Sequence, residues 1–209
     1  MNEQQEGVIK YELSFRKKVN VITADVGSLN AWRTILWRLA LIGQDVDRYQ
    51  GYGFGNVSQR MDGQGFLISG TQTGATENLK AADYAHVQVV DFQRNQVTAE
   101  GQIKPSSESL THALIYDFCP SANVVLHVHS PEIWQQASQL GIPQTADGVD
   151  YGTTEMVDEV KRLLRLKLLG PSGVFAMRGH QDGMVAFGES AEQAGVALLC
   201  ILARCLDTE

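Results

Sequence analysis

The sequence predicts a three-layer α/β/α domain built on a largely hairpin-linked sheet. Three observations carry this. Helical and strand periodicities are interspersed along the chain, without the strict strand–helix alternation of a dinucleotide-binding fold. The candidate strands are joined mostly by short turns, with Asp62-Gly63 and Arg94-Asn95 the tightest. And 209 residues, 44% hydrophobic and 20% charged, suffice for one core without disulfide or metal staples.

The elements follow in order. Residues 1–20 are polar and charged and read as an arm or an edge element, which sets a single domain at 21–209. Ser28 is placed to cap a helix in which Trp32, Ile35, Leu36 and Leu39 recur at helical spacing, with Gly43 ending the run. A glycine-studded stretch at 51–60 leads through Asp62-Gly63 into a strand at 66–69. Further strands are expected at 85–92 and 96–100. Pro105-Ser106-Ser107-Glu108 opens a helix to about Phe118, with a serine cap and an acid in the first turn. Residues 123–129 read as a buried strand, and Pro131 opens a helix that ends near Gly141. Thr153 or Thr154 caps a helix with Met156, Val157, Val160, Leu163 and Leu164 on its apolar face. Strands at 173–177 and 183–187 flank a turn, and Ser190 starts a last helix to about Leu206.

Several classes of function are excluded. A formal charge of −7 argues against a nucleic-acid partner, though not against a small local phosphate pocket. No apolar run reaches the roughly 18 residues of a membrane helix, and MNEQQEGVIK lacks the apolar core of a signal peptide. Cys119, Cys200 and Cys205 form no C-x-x-C pair and read as reduced thiols of a cytoplasmic protein. The phosphate loop G-x-x-x-x-G-K-[ST] and the fingerprint G-x-G-x-x-G are both absent, so nucleotide binding is unsupported.

The sharpest local signal is His127-Val128-His129. Side chains at i and i+2 share one face of a strand, so two imidazoles from a rigid element can meet one divalent ion. The other reading is two hydrogen-bonded strand histidines. His180 lies in the turn Arg178-Gly179-His180-Gln181-Asp182-Gly183, where glycine permits close backbone approach; it is a further ligand or a solvent-facing turn residue. Glu108 is a cation ligand, a proton acceptor or an ordinary first-turn acid. His112, one turn on, is packing or supports the ligands. Ser106 and Ser107 combine hydroxyls with helix-start N–H groups, a natural oxyanion cradle. Gly55-Asn56-Val57-Ser58 and Ser69-Gly70-Thr71-Gln72-Thr73-Gly74 add hydroxyl and amide groups around turns.

As an ordered set, these motifs resemble the class II aldolase/adducin family, from about Ser28 to Leu206. The 19-residue separation of Glu108 from His127 (127 − 108) is similar to that family's spacing. The resemblance implies a class II aldolase-like three-layer α/β/α fold with a central mixed, mostly antiparallel sheet. It implies that His127, His129 and His180 hold one divalent ion per chain, Zn2+ or else Mn2+ or Co2+, and that Glu108 is the catalytic acid/base. It implies that Asn56, Thr73, Gly74, Ser106 and Ser107 bind the substrate phosphate. Ser69 and Gly70 are a looser match, because this loop is one residue longer than the aldolase pattern.

The activity implied is a metal-dependent aldehyde-lyase of carbohydrate metabolism, cleaving a small ketose phosphate or related sugar through a metal-stabilised enediolate. The assembly implied is a homotetramer with sites between subunits. Two departures matter. Aldolases of the family use additional tyrosine proton donors, one near the C-terminus, whereas this sequence closes on Leu206-Asp207-Thr208-Glu209. The family's pentulose-phosphate 4-epimerases place an aspartate just before a segment like Tyr151-Gly152-Thr153, a place Asp147 or Asp150 fills with the register off by one. An epimerase or a dehydratase is therefore the alternative. An adducin-like scaffold without metal ligands fits poorly with the retention of all three histidines.

Overall fold

The structure, a computed structural model, describes residues 7–19, 24–166, 169 and 173–207. Its main sheet is built from β1 (Glu12–Lys17), β4 (Asn56–Arg60), β5 (Phe66–Ser69), β6 (Tyr84–Asp91), β7 (Gln96–Gly101), β8 (Val124–His129), β9 (Val174–Ala176) and β10 (Gly183–Gly188). The spatial order is β1-β7-β6-β5-β4-β8-β10-β9. β1 runs parallel to β7 and every other pairing is antiparallel. A separate ribbon pairs β2 (Gly43–Gln44) with β3 (Gly53–Phe54). The helices are α1 (Gly27–Arg38), α2 (Ser109–Phe118), α3 (Pro131–Gln136), α4 (Thr154–Arg165) and α5 (Ala191–Leu206).

Alternation along the strands splits the core into two layers. One face carries Ile68, Val87, Val125, Val185 and Phe187 under α2 and α4, whose Leu110, Leu114, Met156 and Val160 fill the layer. The opposite face carries Val57, Leu67, Leu126, Val128 and Met184 under α1, α3 and α5. The result is the three-layer α/β/α fold with a mixed, mostly antiparallel sheet. β8 lies between β4 and β10 with all six residues buried, which is why it reads as a continuous apolar run broken only by its histidines.

Several local expectations shift. β1 makes residues 12–17 an edge strand of the sheet rather than a loose arm; the expected boundary at 20–21 lies outside the described residues. Ser28 falls inside α1, whose N-cap is Val26 with no side-chain hydrogen bond. The helix stops at Arg38, because Ala40 takes a left-handed φ of 55° well before Gly43. α3 ends at Gln136, short of Gly141. Glu108 is the N-cap of α2 rather than a first-turn residue. A turn precedes it, in which the Ser109 N–H donates to the Ser106 carbonyl at 3.2 Å. Thr153 and Ser190 do cap α4 and α5, accepting from Met156 N at 3.3 Å and Gln193 N at 3.1 Å.

Leu126 is fully buried between α1, α3 and α5 at the centre of the sheet. Leu126→Ala should lower unfolding free energy by about 2–5 kcal/mol, the cost of the lost burial plus the cavity left behind. Urea denaturation with an unchanged m-value checks this.

Candidate metal centre and oxyanion cradle

His127 and His129 project from the α2 face of β8, two residues apart as strand geometry requires. His180 comes from the turn between β9 and β10, closed by Met177 N to Gly183 O at 2.8 Å and His180 N to Met177 O at 3.0 Å. Gly179 lets this turn lie against the Val149 backbone, which a Cβ would overlap. The three rings sit 4.8–5.0 Å apart, centroid to centroid. One ligand nitrogen from each falls within 4.8 Å of the others, and all three residues are buried.

The donor set fits a divalent ion. His127 Nδ1 lies 3.1 Å from the Met184 carbonyl. A carbonyl can only accept, so Nδ1 carries the ring proton and Nε2 presents a lone pair. Three ring nitrogens grouped within 4.8 Å of one another are the kind of donor set that would hold one ion at about 2 Å each. Glu108 adjoins the cluster, with Oε1 3.4 Å from His180 Nδ1 and only 1% of its side chain exposed. Its Oε2 accepts from Thr111 Oγ1 at 3.1 Å, which orients the carboxyl group.

The residues expected to bind an oxyanion converge beside this cluster. Asn56, Gly70, Thr73, Gly74, Ser106 and Ser107 line one recess of about 10 Å³. Asn56 pairs with His127 in the β4–β8 register, so the recess and the histidines are neighbours by construction. Asn56 Oδ1 is buried with no hydrogen-bond partner among the described residues. Ser69 stands apart: its Oγ accepts from Val57 N at 3.1 Å and serves the strand pairing. A Cβ at Gly74 would overlap the Gly43 carbonyl, so only glycine lets the loop pack there. α1 anchors the loop: the buried Arg33 donates to Thr73 O at 3.0 Å and Glu77 O at 2.8 Å, and Trp37 Nε1 donates to Gly74 O at 2.9 Å.

Sequence reasoning missed the aromatic and basic groups around the centre. Tyr151 stacks on His180 with centroids 4.5 Å apart. Lys10 Nζ lies 4.0 Å above the Tyr151 ring and 3.2 Å from Asp150 Oδ2, and Val8 N donates to the Tyr151 hydroxyl at 3.2 Å. Asp147 is 88% exposed and paired with Arg178 at 3.4 Å. His112 lies behind the site. Its Nδ1 is 2.7 Å from Ser58 Oγ, which is itself 2.7 Å from the Tyr116 hydroxyl.

The fold and this site define a class of protein: a three-layer domain whose central strand offers paired histidines beside a neutral oxyanion recess. The chain belongs to the class II aldolase and adducin N-terminal domain family, whose profile matches residues 45–206. It is 34% identical over 77 residues to a probable L-ribulose-5-phosphate 4-epimerase of Mycoplasma pneumoniae, a match covering 37% of this chain and 30% of that relative. Among solved structures it resembles L-fuculose-1-phosphate aldolase of Thermus thermophilus, with TM-score 0.61 and 19% identity over 86% of this chain and 89% of that one. A putative aldolase/epimerase/decarboxylase of Escherichia coli gives TM-score 0.63 at 15% identity, covering 85% and 84%. No helix among the described residues is long and apolar enough to cross a membrane.

Burial, followed by the proximity of the His127 ring, holds His112 well below the usual histidine range, so it is neutral in the folded protein. The unfolded chain takes up this proton below about pH 6.5, so stability is full above that pH and falls as pH drops. Urea titrations between pH 7.5 and 5.5 should show a loss of up to about 1.4 kcal/mol per pH unit from this residue, and His112→Gln should flatten the slope accordingly.

Proposed function

We propose that the protein is a divalent-metal-dependent aldehyde-lyase acting on a small ketose phosphate or related sugar. The observation that carries this is the buried Glu108 carboxyl 3.4 Å from His180, within a cluster that also holds His127 and His129. These histidines would hold the ion, Zn2+ or else Mn2+ or Co2+. Bound there, the ion supplies Lewis-acid stabilisation of negative charge on the sugar oxygens. Glu108 takes the hydroxyl proton that starts carbon–carbon cleavage and returns a proton to the product. Asn56, Thr73, Gly74, Ser106 and Ser107 bind the terminal phosphate through neutral donors, with Gly70 at the turn. Burial of the cluster excludes water from the proton transfer.

The sugar-phosphate aldolase among the fold neighbours supports the lyase reading. A second reading, a pentulose-phosphate 4-epimerase, draws on the probable epimerase relative and on Asp150, next to the Tyr151 that stacks on His180. In keeping with the family resemblance we place the enzyme in a homotetramer. Its free thiols at 119, 200 and 205 accord with a cytoplasmic setting.

A panel of sugar phosphates and sugar acids, assayed with Zn2+, Mn2+ or Co2+, separates the readings: a lyase releases an aldehyde, an epimerase an isomer. Purified protein should carry about one ion per chain, and His129→Ala should lose it. Glu108→Gln should keep most of the metal and lose about 10²- to 10⁴-fold in rate. Near-normal activity of that variant, or full metal occupancy without the three histidines, overturns the assignment.

A further inference from the structure

The segment between α1 and β3 contains an unusual backbone. Tyr49, Gln50 and Gly51 take consecutive left-handed φ values of 48°, 58° and 78°. For the two residues that are not glycine such values are strained, and they persist only where the surroundings over-determine them. Around Tyr49 they do. Its hydroxyl donates to Asp182 Oδ2 at 2.8 Å and accepts from Arg48 Nη2 at 2.9 Å. Burial pushes the phenol up, which keeps it a protonated donor. Its ring packs edge-on against the His129 imidazole, centroids 4.6 Å apart at 69°, and against Phe54 at 5.0 Å.

Asp182 ties these contacts to the other metal-bearing element. It lies two residues past His180 in the same turn, at a left-handed φ of 59°, and is 7% exposed. Its carbonyl accepts from Ser130 N at 2.8 Å, next to His129. Arg48 closes the arrangement, donating to Ala40 O at 3.0 Å and lying 4.4 Å over the Phe54 ring. A single side chain thus touches one histidine ring directly and grips the turn that presents another. It contacts neither Glu108 nor the oxyanion recess in these bonds.

We propose that Tyr49 is the positioning residue of the metal centre: its ring sets the orientation of His129, and its hydroxyl, through Asp182, holds the turn that carries His180. The proposal rests on reading His127, His129 and His180 as ligands. Residues that orient metal ligands through one contact typically change affinity by about 10- to 100-fold. Tyr49→Phe keeps the ring and loses the bond to Asp182, Asp182→Asn weakens the same bond from the other side, and Tyr49→Leu loses both contacts.

Zn2+ affinity by chelator competition, the visible absorption of the Co2+-loaded protein and the melting temperature of the metal-free protein test this together. Tyr49→Phe and Asp182→Asn should each weaken Zn2+ about 10-fold, and Tyr49→Leu about 100-fold. The Co2+ bands should shift in all three, and Tyr49→Phe, which keeps the packed ring, should show its loss of Zn2+ affinity in a metal-free protein that is still folded and melts near wild type. A wild-type chain that takes up no ion overturns the ligand reading and this proposal together. Wild-type binding, with Tyr49→Phe and Asp182→Asn matching it in affinity and Co2+ spectrum, overturns this proposal alone.

Discussion

Three imidazoles and a carboxyl group are packed together where water scarcely reaches, with side-chain exposures of 0–2%. Taking such groups out of water costs several kcal/mol unless partners replace the lost hydration. That demand organises the centre of the molecule. The Met184 carbonyl accepts a hydrogen bond from His127 Nδ1, Thr111 donates to Glu108, and His180 Nδ1 faces the carboxylate. Met184 comes from β10, and Thr111 and Glu108 from α2 and its N-cap, so the cluster forms only when β8, β10 and α2 are all docked.

The register of β8 translates that local demand into the layout of the site. Pairing of Asn56 with His127 and of Gly183 with His129 puts the oxyanion recess on one side of the histidines and the His180 turn on the other. A shift of one residue would send both strand histidines to the opposite face, beneath α1, α3 and α5. The apolar alternates Val124, Leu126 and Val128 would then face the site. The two hydrophobic layers therefore fix the geometry of the polar centre, although they share no chemistry with it.

How much of this was legible in the sequence depended on the range of the signal. The strand bearing His127 and His129 stood out because period-two placement and a continuous apolar run are local properties. The caps at Thr153 and Ser190 were visible for the same reason, while Ser28 misled because a hydroxyl near a helix start resembles a cap whether or not it bonds. The convergence of His180 with the strand pair came through family resemblance, since no local pattern links residues so far apart. Tyr49 and Arg33 left no readable trace, and Tyr151 stood out only within the segment that resembles the family's epimerases. Tyr49 meets Asp182 across 133 residues, and Arg33 reads as an ordinary helix arginine until its carbonyl partners on the 70–77 loop are seen.

The N-terminal segment shows how an element that looks peripheral can enter the centre. β1 pairs with β7 along the full six residues of the strand and so covers an edge that would otherwise present open backbone groups. That pairing fixes where the preceding residues run. Tyr11 reaches the Ser106 carbonyl at 2.8 Å and Ser109 Oγ at 3.3 Å, beneath the serine turn. Lys10 covers Tyr151, and the Gly7 carbonyl accepts from Thr71 Oγ1 at 3.3 Å at the rim of the oxyanion recess. Polar composition left this stretch open between an arm and an edge element, because an edge strand buries little and needs few apolar residues. Its weight in the structure comes from position: one parallel pairing at the sheet's margin lays the residues before it across the serine turn, Tyr151 and the 70–74 loop.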